Sequence, residues 1–353
     1  MGKRHSALEN MGLIADVLNQ YKTYRPVPAT KNLLYHAFNW ERKKSFGSKN
    51  ADKTVYIIRP INDASPFYIG VRHNLMANYF YAAAHIQYAV NNGWVPVVDH
   101  KNYSVYTSIC GIVNGIDNAW EYFFKQPFHV TLADAYESKN VILSRRGWVK
   151  PILLEYEAAD YTNKALINRL NDTVKNIPLL DKIVKDIQDY WGTCFTPGEK
   201  VLGVCFRFAG HSKLSSINAN GHPIAPDVGQ LMDIVEQMMH DWGMDKVFFA
   251  SDEANAVKQF KEKFGTRLVA LDRKRSDALI QYNPANPNPM YAAAAMYDTT
   301  LAYITEMEML ARCTCLIGSI NTGLRYAVVR NNAAYEHVKI IDCGRFPDRN
   351  KKT

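Results

Sequence analysis

The sequence predicts an α/β protein made of two doubly wound domains. Three observations indicate this class. The chain has 353 residues, more than one ordinary core needs, and this length suits two domains. Short apolar runs alternate with helix-length segments, most regularly in the second half, and such alternation is typical of parallel sheets. Hydrophobic residues make up 47% and charged residues 22%, which is an ordinary globular composition.

The first half carries a strand–helix–strand unit. The unit consists of a predicted strand at 55–58, a helix at 74–91 and a strand at 94–98, and a further strand is predicted at 141–143. Asp99 follows the second strand directly, at the end where open parallel sheets bind ligands. The aromatic segment 118–124 is too apolar for free solvent, so we expect it to line a cleft or a domain surface. A short amphipathic helix is predicted at 7–21, packed on the first domain or lying on a membrane surface.

The second half repeats strand and helix with little interruption. A helix predicted at 176–192 ends at Gly192, and the turn residues Pro197 and Gly198 follow. We therefore divide the chain into an N-terminal domain, 1–192, and a C-terminal domain, 193–353. The predicted elements of the latter are strands at 201–206, 246–250, 268–271, 314–317 and 338–341, and helices at 228–242, 253–264, 291–312 and 322–331. This order specifies a parallel, doubly wound sheet.

Three strand ends of the second domain carry polar residues. Arg207 interrupts an apolar strand at its exit, where a guanidinium needs either a ligand phosphate or a protein carboxylate. Asp252 stands at a strand-to-helix turn, where helix capping is the simpler interpretation. The segment Gly318-Ser319-Ile320-Asn321-Thr322-Gly323 joins a strand to a helix, and exposed amides at such a turn bind phosphate. Neither glycine-rich nucleotide-binding fingerprint occurs in the chain.

The net charge of +8 favours an anionic partner. The basic residues, such as the run 273–275, are spread along the chain without the aromatic residues of an RNA-binding surface, so we expect most of them to be solvated. The six cysteines are interpreted as reduced thiols, with Cys205, Cys313 and Cys315 in or beside buried strands. No metal site is predicted, because no further ligands accompany Cys313 and Cys315. No membrane span or signal peptide is predicted, so we expect a cytoplasmic protein.

The order of these motifs resembles that of the GDP-fucose-dependent fucosyltransferases, a superfamily of alpha-1,6, alpha-1,2 and protein O-fucosyltransferases. The motifs that carry the resemblance are Gly203-Val204-Cys205-Phe206-Arg207, Gly221-His222-Pro223-Ile224, Phe249-Ala250-Ser251-Asp252-Glu253 and Cys315-Leu316-Ile317-Gly318-Ser319-Ile320-Asn321-Thr322-Gly323. The first-half segments Trp94-Val95-Pro96-Val97-Val98-Asp99 and Asn118-Ala119-Trp120-Glu121-Tyr122-Phe123 are similar to bacterial polysaccharide-locus relatives.

The resemblance implies a GT-B fold, in which two Rossmann-like domains face a cleft, and an inverting, metal-independent transfer of a sugar from a GDP-sugar. It implies that Arg207 binds the β-phosphate and that Asp252 binds the guanine or ribose. The other donor-binding residues that it implies are Ser319, Asn321, Thr322, Gly323 and His222. The implied partners are a nucleotide-sugar donor, with no cofactor or metal, and a glycan or lipid-linked glycan acceptor. Nucleic acid is not an expected partner, and peripheral contact with the inner membrane face is one route to a lipid-linked acceptor.

The sequence also departs from the family pattern. Cys205 stands where the family usually has histidine, Phe208 stands where many members have a second arginine, and the loop 208–226 contains no carboxylate. An inverting transfer still needs proton removal. The candidates for the catalytic base are His211, Asp227 and Asp99. We favour His211, whose unperturbed pKa of about 6.5 suits a base at neutral pH, although a satisfied loop histidine is the simpler interpretation.

Three alternatives remain open at this stage. A nucleotide-sugar-binding relative with weak or no activity would explain the missing loop carboxylate. A nucleotide-sugar epimerase on a similar scaffold and a nucleic-acid-binding α/β protein are the other two.

Overall fold

The computed structural model describes residues 41–60, 75–103, 105–145, 161, 163–206, 223–275 and 293–345. The strands of these residues form two separate sheets, one before residue 144 and one after residue 200. The helix predicted at 7–21 lies outside the described residues.

The first sheet has four strands in the order β1-β4-β2-β3. They are β1 Arg42–Lys44, β2 Val55–Ile58, β3 Val95–Val98 and β4 Val141–Leu143. β2 is parallel to β3 and β4, whereas β1 is antiparallel to β4. Helix α1, Leu75–Asn91, connects β2 to β3, and the short helix α2, Leu132–Ala135, precedes β4. The sheet is therefore mixed, because an exposed basic strand that the sequence did not predict closes one edge.

Between β4 and the second sheet, the described residues form two helices. They are α3, Lys164–Val174, and α4, Asp181–Cys194. The sequence did not predict α3, and the helix predicted at 176–192 begins later than expected. The reason is that the chain just before α4 is extended and pairs with another segment. The Lys125 backbone amide donates to the Pro178 carbonyl at 2.9 Å, and the Leu180 backbone amide donates to the Phe123 carbonyl at 2.9 Å.

The second sheet has five parallel strands in the order β7-β6-β5-β8-β9. They are β5 Val201–Phe206, β6 Lys246–Ser251, β7 Leu268–Val269, β8 Cys315–Ser319 and β9 His337–Ile341. The helices of this half are α5 Val228–Asp241, α6 Ala254–Phe264, α7 Ala293–Arg312 and α8 Thr322–Asn331. The elements predicted after residue 200 are confirmed, with shifts of one or two residues at some ends.

Helices cover both faces of this sheet. Leu202 and Val204 of β5 pack with residues of α5 and α6. Val201 and Cys205 of the same strand pack with residues of α7 and α8. All six residues of β5 are buried, because successive side chains of a strand point to opposite faces and both faces are covered. This explains why the strand is a continuous apolar run.

One buried cluster extends from the first sheet to the second. Tyr79 of α1 meets Tyr326 of α8, with ring centroids 5.0 Å apart, and Phe123 stacks on Tyr297 of α7 at 5.3 Å. The aromatic segment 118–124 therefore packs inside the core, and Phe123 is fully buried. Of the two places expected for this segment, a cleft or a domain surface, the packing against α7 of the second half corresponds to the domain surface. The boundary after residue 192 stays a prediction, since the two halves share this cluster.

Candidate functional site

The order in which the chain adds strands to the second sheet reverses at β5. The chain continues from β5 to β6 on one side and later returns to β8 on the other side. The strand ends are level, because Cys205 pairs with both Ala250 and Gly318 in register. Open α/β sheets bind ligands at the carboxyl ends of their strands at such a switch point.

The structure brings part of the predicted donor set to this edge. Asp252 follows β6, Ser319 ends β8, and Asn321, Thr322 and Gly323 lie at the start of α8. Arg207 is the residue after β5, and it lies outside the described residues together with His211 and His222. Asp99 belongs to the other sheet, where it follows β3.

Asn321 is the N-cap of α8. Its Oδ1 accepts a hydrogen bond from the Leu324 amide at 2.9 Å, and its Nδ2 donates to the Ser319 carbonyl at 2.9 Å. This side chain is therefore used by the backbone of the turn. The amides of Thr322 and Gly323 belong to the first helical turn, whose N–H groups have no partners within a helix and attract anions. These amides, rather than the Asn321 side chain, are the groups that suit a diphosphate.

Gly323 lies where α8 packs on α7. A Cβ at this position would clash with the Tyr303 hydroxyl and would lie 2.7 Å from Met307 Sδ. The close approach of the two helices therefore favours glycine here, whatever its amide binds.

We expect Gly323→Ala to destabilise the folded chain by ~1–3 kcal/mol through overpacking. The matched control is Gly192→Ala in α4, where a Cβ meets no atom within 4 Å. That control should stabilise the fold by ~0.5–1 kcal/mol, because alanine suits a helix better than glycine. Urea unfolding of both variants measures the difference, and a stabilised Gly323→Ala would contradict the packing role.

Asp252 is not the cap of the helix that follows it. α6 begins at Ala254, and its N-cap residue is Glu253, which makes no side-chain capping bond. Asp252 lies one residue earlier and is half-buried. The N-cap position of α6 therefore belongs to Glu253, and the role of Asp252 stays a prediction.

A buried charged cluster lies beside Asp252. Arg273 makes a two-point ion pair with Glu306 of α7, with both bonds at 2.8 Å, and Arg275 reaches the same carboxylate at 3.2 Å. Both arginines also donate to the main-chain carbonyl of Ser251 at 3.0 Å. Burial lowers the pKa of Arg273, but the charge and hydrogen bonds of Glu306 outweigh burial, so the pKa is raised. Arg273 is thus a fixed cation.

The expectation that the basic run 273–275 is solvated is wrong for its two arginines, whose side chains are each 8% exposed. Two sequence signals mark such a cluster. The arginines are two residues apart around the exposed Lys274, as in an extended segment with one buried face. Glu306 is a carboxylate on a helix face that is otherwise apolar, with Met307 and Leu310 beside it.

Asp99 accepts four hydrogen bonds at the edge of the first sheet. The donors are the amides of Lys101 at 3.0 Å and Asn102 at 2.8 Å, the Asn102 side chain at 3.0 Å and the Tyr136 hydroxyl at 2.6 Å. Asp99 is fully buried, and this arrangement favours a role in closing its loop. Burial, followed by the hydrogen bond to Asp99, raises the pKa of Tyr136.

Asp227 and His100 are two further titratable groups that could act as a base. Asp227 caps α5 by accepting from the amides of Gly229 at 2.8 Å and Gln230 at 3.3 Å. His100 follows Asp99, and burial lowers its pKa to about 3, which makes it a weak base at neutral pH. His211 lies outside the described residues.

All six cysteines are free thiols, and Cys205, Cys313 and Cys315 are buried as predicted. Cys205 Sγ lies 3.7 Å from Asn321 Nδ2, so the residue that departs from the family pattern packs against the cap of α8.

Over the described ranges, no group of three or more histidine, cysteine, aspartate or glutamate residues is placed to hold a metal ion. In the same ranges, no helix has the length and apolar character needed to span a membrane.

The chain matches no protein-family model, and a comparison with curated proteins finds no match. In fold, it is similar to the NodZ alpha-1,6-fucosyltransferase soaked with GDP-fucose, at 14% identity and a TM-score of 0.43, covering 78% of this chain and 92% of that one. It is also similar to the fucosyltransferase NodZ from Bradyrhizobium, at 16% identity and a TM-score of 0.44, covering 78% and 91%. A third similar structure is POFUT1 in complex with GDP-fucose, at 11% identity and a TM-score of 0.33, covering 82% and 73%. At these identities and TM-scores, the function has to be inferred from the residues of this chain.

Proposed function

We propose that this chain is a glycosyltransferase that transfers a sugar, with fucose the first to test, from a GDP-sugar to a glycan hydroxyl. The observation that carries the proposal is the meeting of motif residues at the switch point. Segments that are far apart in sequence, at the ends of β6 and β8, lie on either side of the end of β5. These are the segments that resemble the donor-binding motifs of fucosyltransferases.

The chemistry of this edge suits a nucleoside diphosphate. The proposed transfer inverts the anomeric centre and uses no metal, so the charge on the leaving diphosphate needs protein groups to stabilise it. Arg207 would supply a fixed cation and the first turn of α8 would supply oriented amides. Asp252, at the neighbouring strand end, would accept hydrogen bonds from the guanine.

A second candidate is a nucleotide-sugar-binding relative with weak or no activity. The specific observation that favours it concerns the base: Asp227 caps a helix, and Asp99 is buried under four hydrogen bonds. Of the sequence candidates, His211 is then the one to test as a base. Transfer to an acceptor, or hydrolysis of GDP-fucose, by the purified chain separates the two functions.

The acceptor and location follow from the same proposal. We place the proposed transfer in the cytoplasm, on a glycan or a lipid-linked glycan. The net charge of +8 would favour peripheral contact with an anionic membrane face.

We expect GDP to raise the melting temperature of the chain more than UDP or a short RNA does, by ligand linkage. EDTA should leave this stabilisation unchanged, because the sequence has no Asp-x-Asp pair to hold a metal-bridged diphosphate. Thermal melts with each ligand, with and without EDTA, measure both effects. A strict need for manganese or magnesium would disprove the metal-independent form of the proposal, and equal stabilisation by UDP would disprove the choice of donor.

A further inference from the structure

Two arginines donate hydrogen bonds to the main chain just before Asp252. Ser251, the residue before Asp252, offers its carbonyl to Arg273 and Arg275, each at 3.0 Å. Arg273 is fixed in turn by its two-point ion pair with Glu306 on α7. The position of this strand exit therefore depends on helix α7, which carries Glu306.

The charges of this cluster also involve Asp252. Two arginines and one glutamate have a formal charge of +1 in a buried setting. The negative charge of Asp252 acts on both Arg273 and Glu306. Asp252 and Arg273 attract each other, which adds a second link between Arg273 and this strand exit.

An ionised carboxylate in a fixed position suits one kind of nucleobase. Guanine has two adjacent donors on its pairing edge, the N1 hydrogen and the 2-amino group, and a carboxylate can accept both. Adenine has an acceptor at N1, and hypoxanthine lacks the 2-amino group. A site built to accept these hydrogen bonds discriminates against a base that lacks them only if the carboxylate cannot move to adapt.

We infer that Arg273 is a positioning residue that gives the site its preference for guanine by fixing the strand exit that carries Asp252. This inference rests on the proposed function, because it takes the guanine of the donor as the group that Asp252 meets. Arg273 acts on the base through Ser251 and Asp252, and it has no role in holding the diphosphate.

The test is Arg273→Lys in the full chain, which keeps the charge and removes the two-point ion pair with Glu306. Dissociation constants for GDP, IDP and ADP are measured by calorimetry. We expect the GDP affinity to fall about tenfold, the loss of one hydrogen bond to a charged group, while the ADP affinity stays the same. The ratio of GDP to ADP affinity then falls by the same factor. The matched control is Arg312→Lys at the last residue of α7, where Arg312 pairs with Glu308 and no such change is expected.

Asp252→Asn distinguishes positioning from a general structural effect. In the Asp252→Asn background, Arg273→Lys should cause no further loss of selectivity, since both changes act on one contact. A purely structural role would lower the GDP and ADP affinities together and would overturn the inference. If Arg273→Lys does not fold, Arg275→Lys removes a bond to the same carbonyl and is expected to lower the same ratio. Unchanged selectivity in the folded variant overturns this inference alone, whereas a wild-type chain that does not bind GDP overturns the proposed function as well.

Discussion

Glu308→Ala is expected to destabilise the folded chain by ~2–4 kcal/mol, because it leaves the buried Tyr326 hydroxyl and two partly exposed arginines without the carboxylate that they bind. Glu308 is 4% exposed on α7. It accepts from the Tyr326 hydroxyl at 2.6 Å and from Arg330 at 2.8 Å, both on α8, and it pairs with Arg312 at 3.2 Å. Loss of this carboxylate therefore removes the hydrogen bonds and the ion pair that connect α7 to α8. Urea unfolding followed by circular dichroism measures the effect.

The control for Glu308 is Glu262→Ala on α6, an exposed glutamate 3.9 Å from Lys258. It should change the stability by less than about 1 kcal/mol.

Burial raises the pKa of Glu308, but Arg330 and the hydrogen bonds outweigh burial and the pKa is lowered. The ionised form is therefore the stabilising one. Its contribution is complete above the unfolded pKa of ~4.3 and is lost as the pH falls towards the folded pKa. Glu308→Gln should be destabilised at neutral pH and should lose this part of the acid dependence; an unchanged acid limb would refute the network.

Arg207→Ala is expected to lower donor affinity by about tenfold to a hundredfold, the loss of a charge-assisted contact of ~1.5–3 kcal/mol. The unliganded protein should be equally stable or slightly more stable, since the change removes a cation that only the ligand neutralises. If Arg207 instead pairs with a protein carboxylate, its loss would destabilise the unliganded fold by ~3–5 kcal/mol. Melting curves of both proteins, with and without GDP, distinguish these results.

A second arginine provides the control for this measurement. Arg267 is exposed and lies just before β7, at the amino end of the second sheet. Arg267→Ala makes the same substitution at the opposite edge, so donor affinity and stability should both stay the same. A large loss of stability in unliganded Arg207→Ala, with preserved stabilisation by GDP, would show the phosphate assignment to be wrong.

The sequence by itself determined the elements whose signals are local. The strands β5, β6 and β8 are predicted correctly because a strand buried on both faces has to be a continuous apolar run. The helices between them follow from periodicity and from end signals, such as Asp227 and Asn321 at their N-caps. The parallel sheet, and the edge at which the polar strand ends meet, follow from the order of these elements.

Only the tertiary structure decided the contacts between distant segments. Glu306 meets Arg273 across 33 residues, and the strand order that brings them together is not a property of either segment. The exposed strand β1 has no apolar pattern, and its pairing with β4 depends on the free edge of that sheet. Phe123 is buried because α7 supplies Tyr297. Side-chain patterns report which face of an element is apolar, but the partner of that face, and so the burial of a charge, is decided by how the whole chain packs.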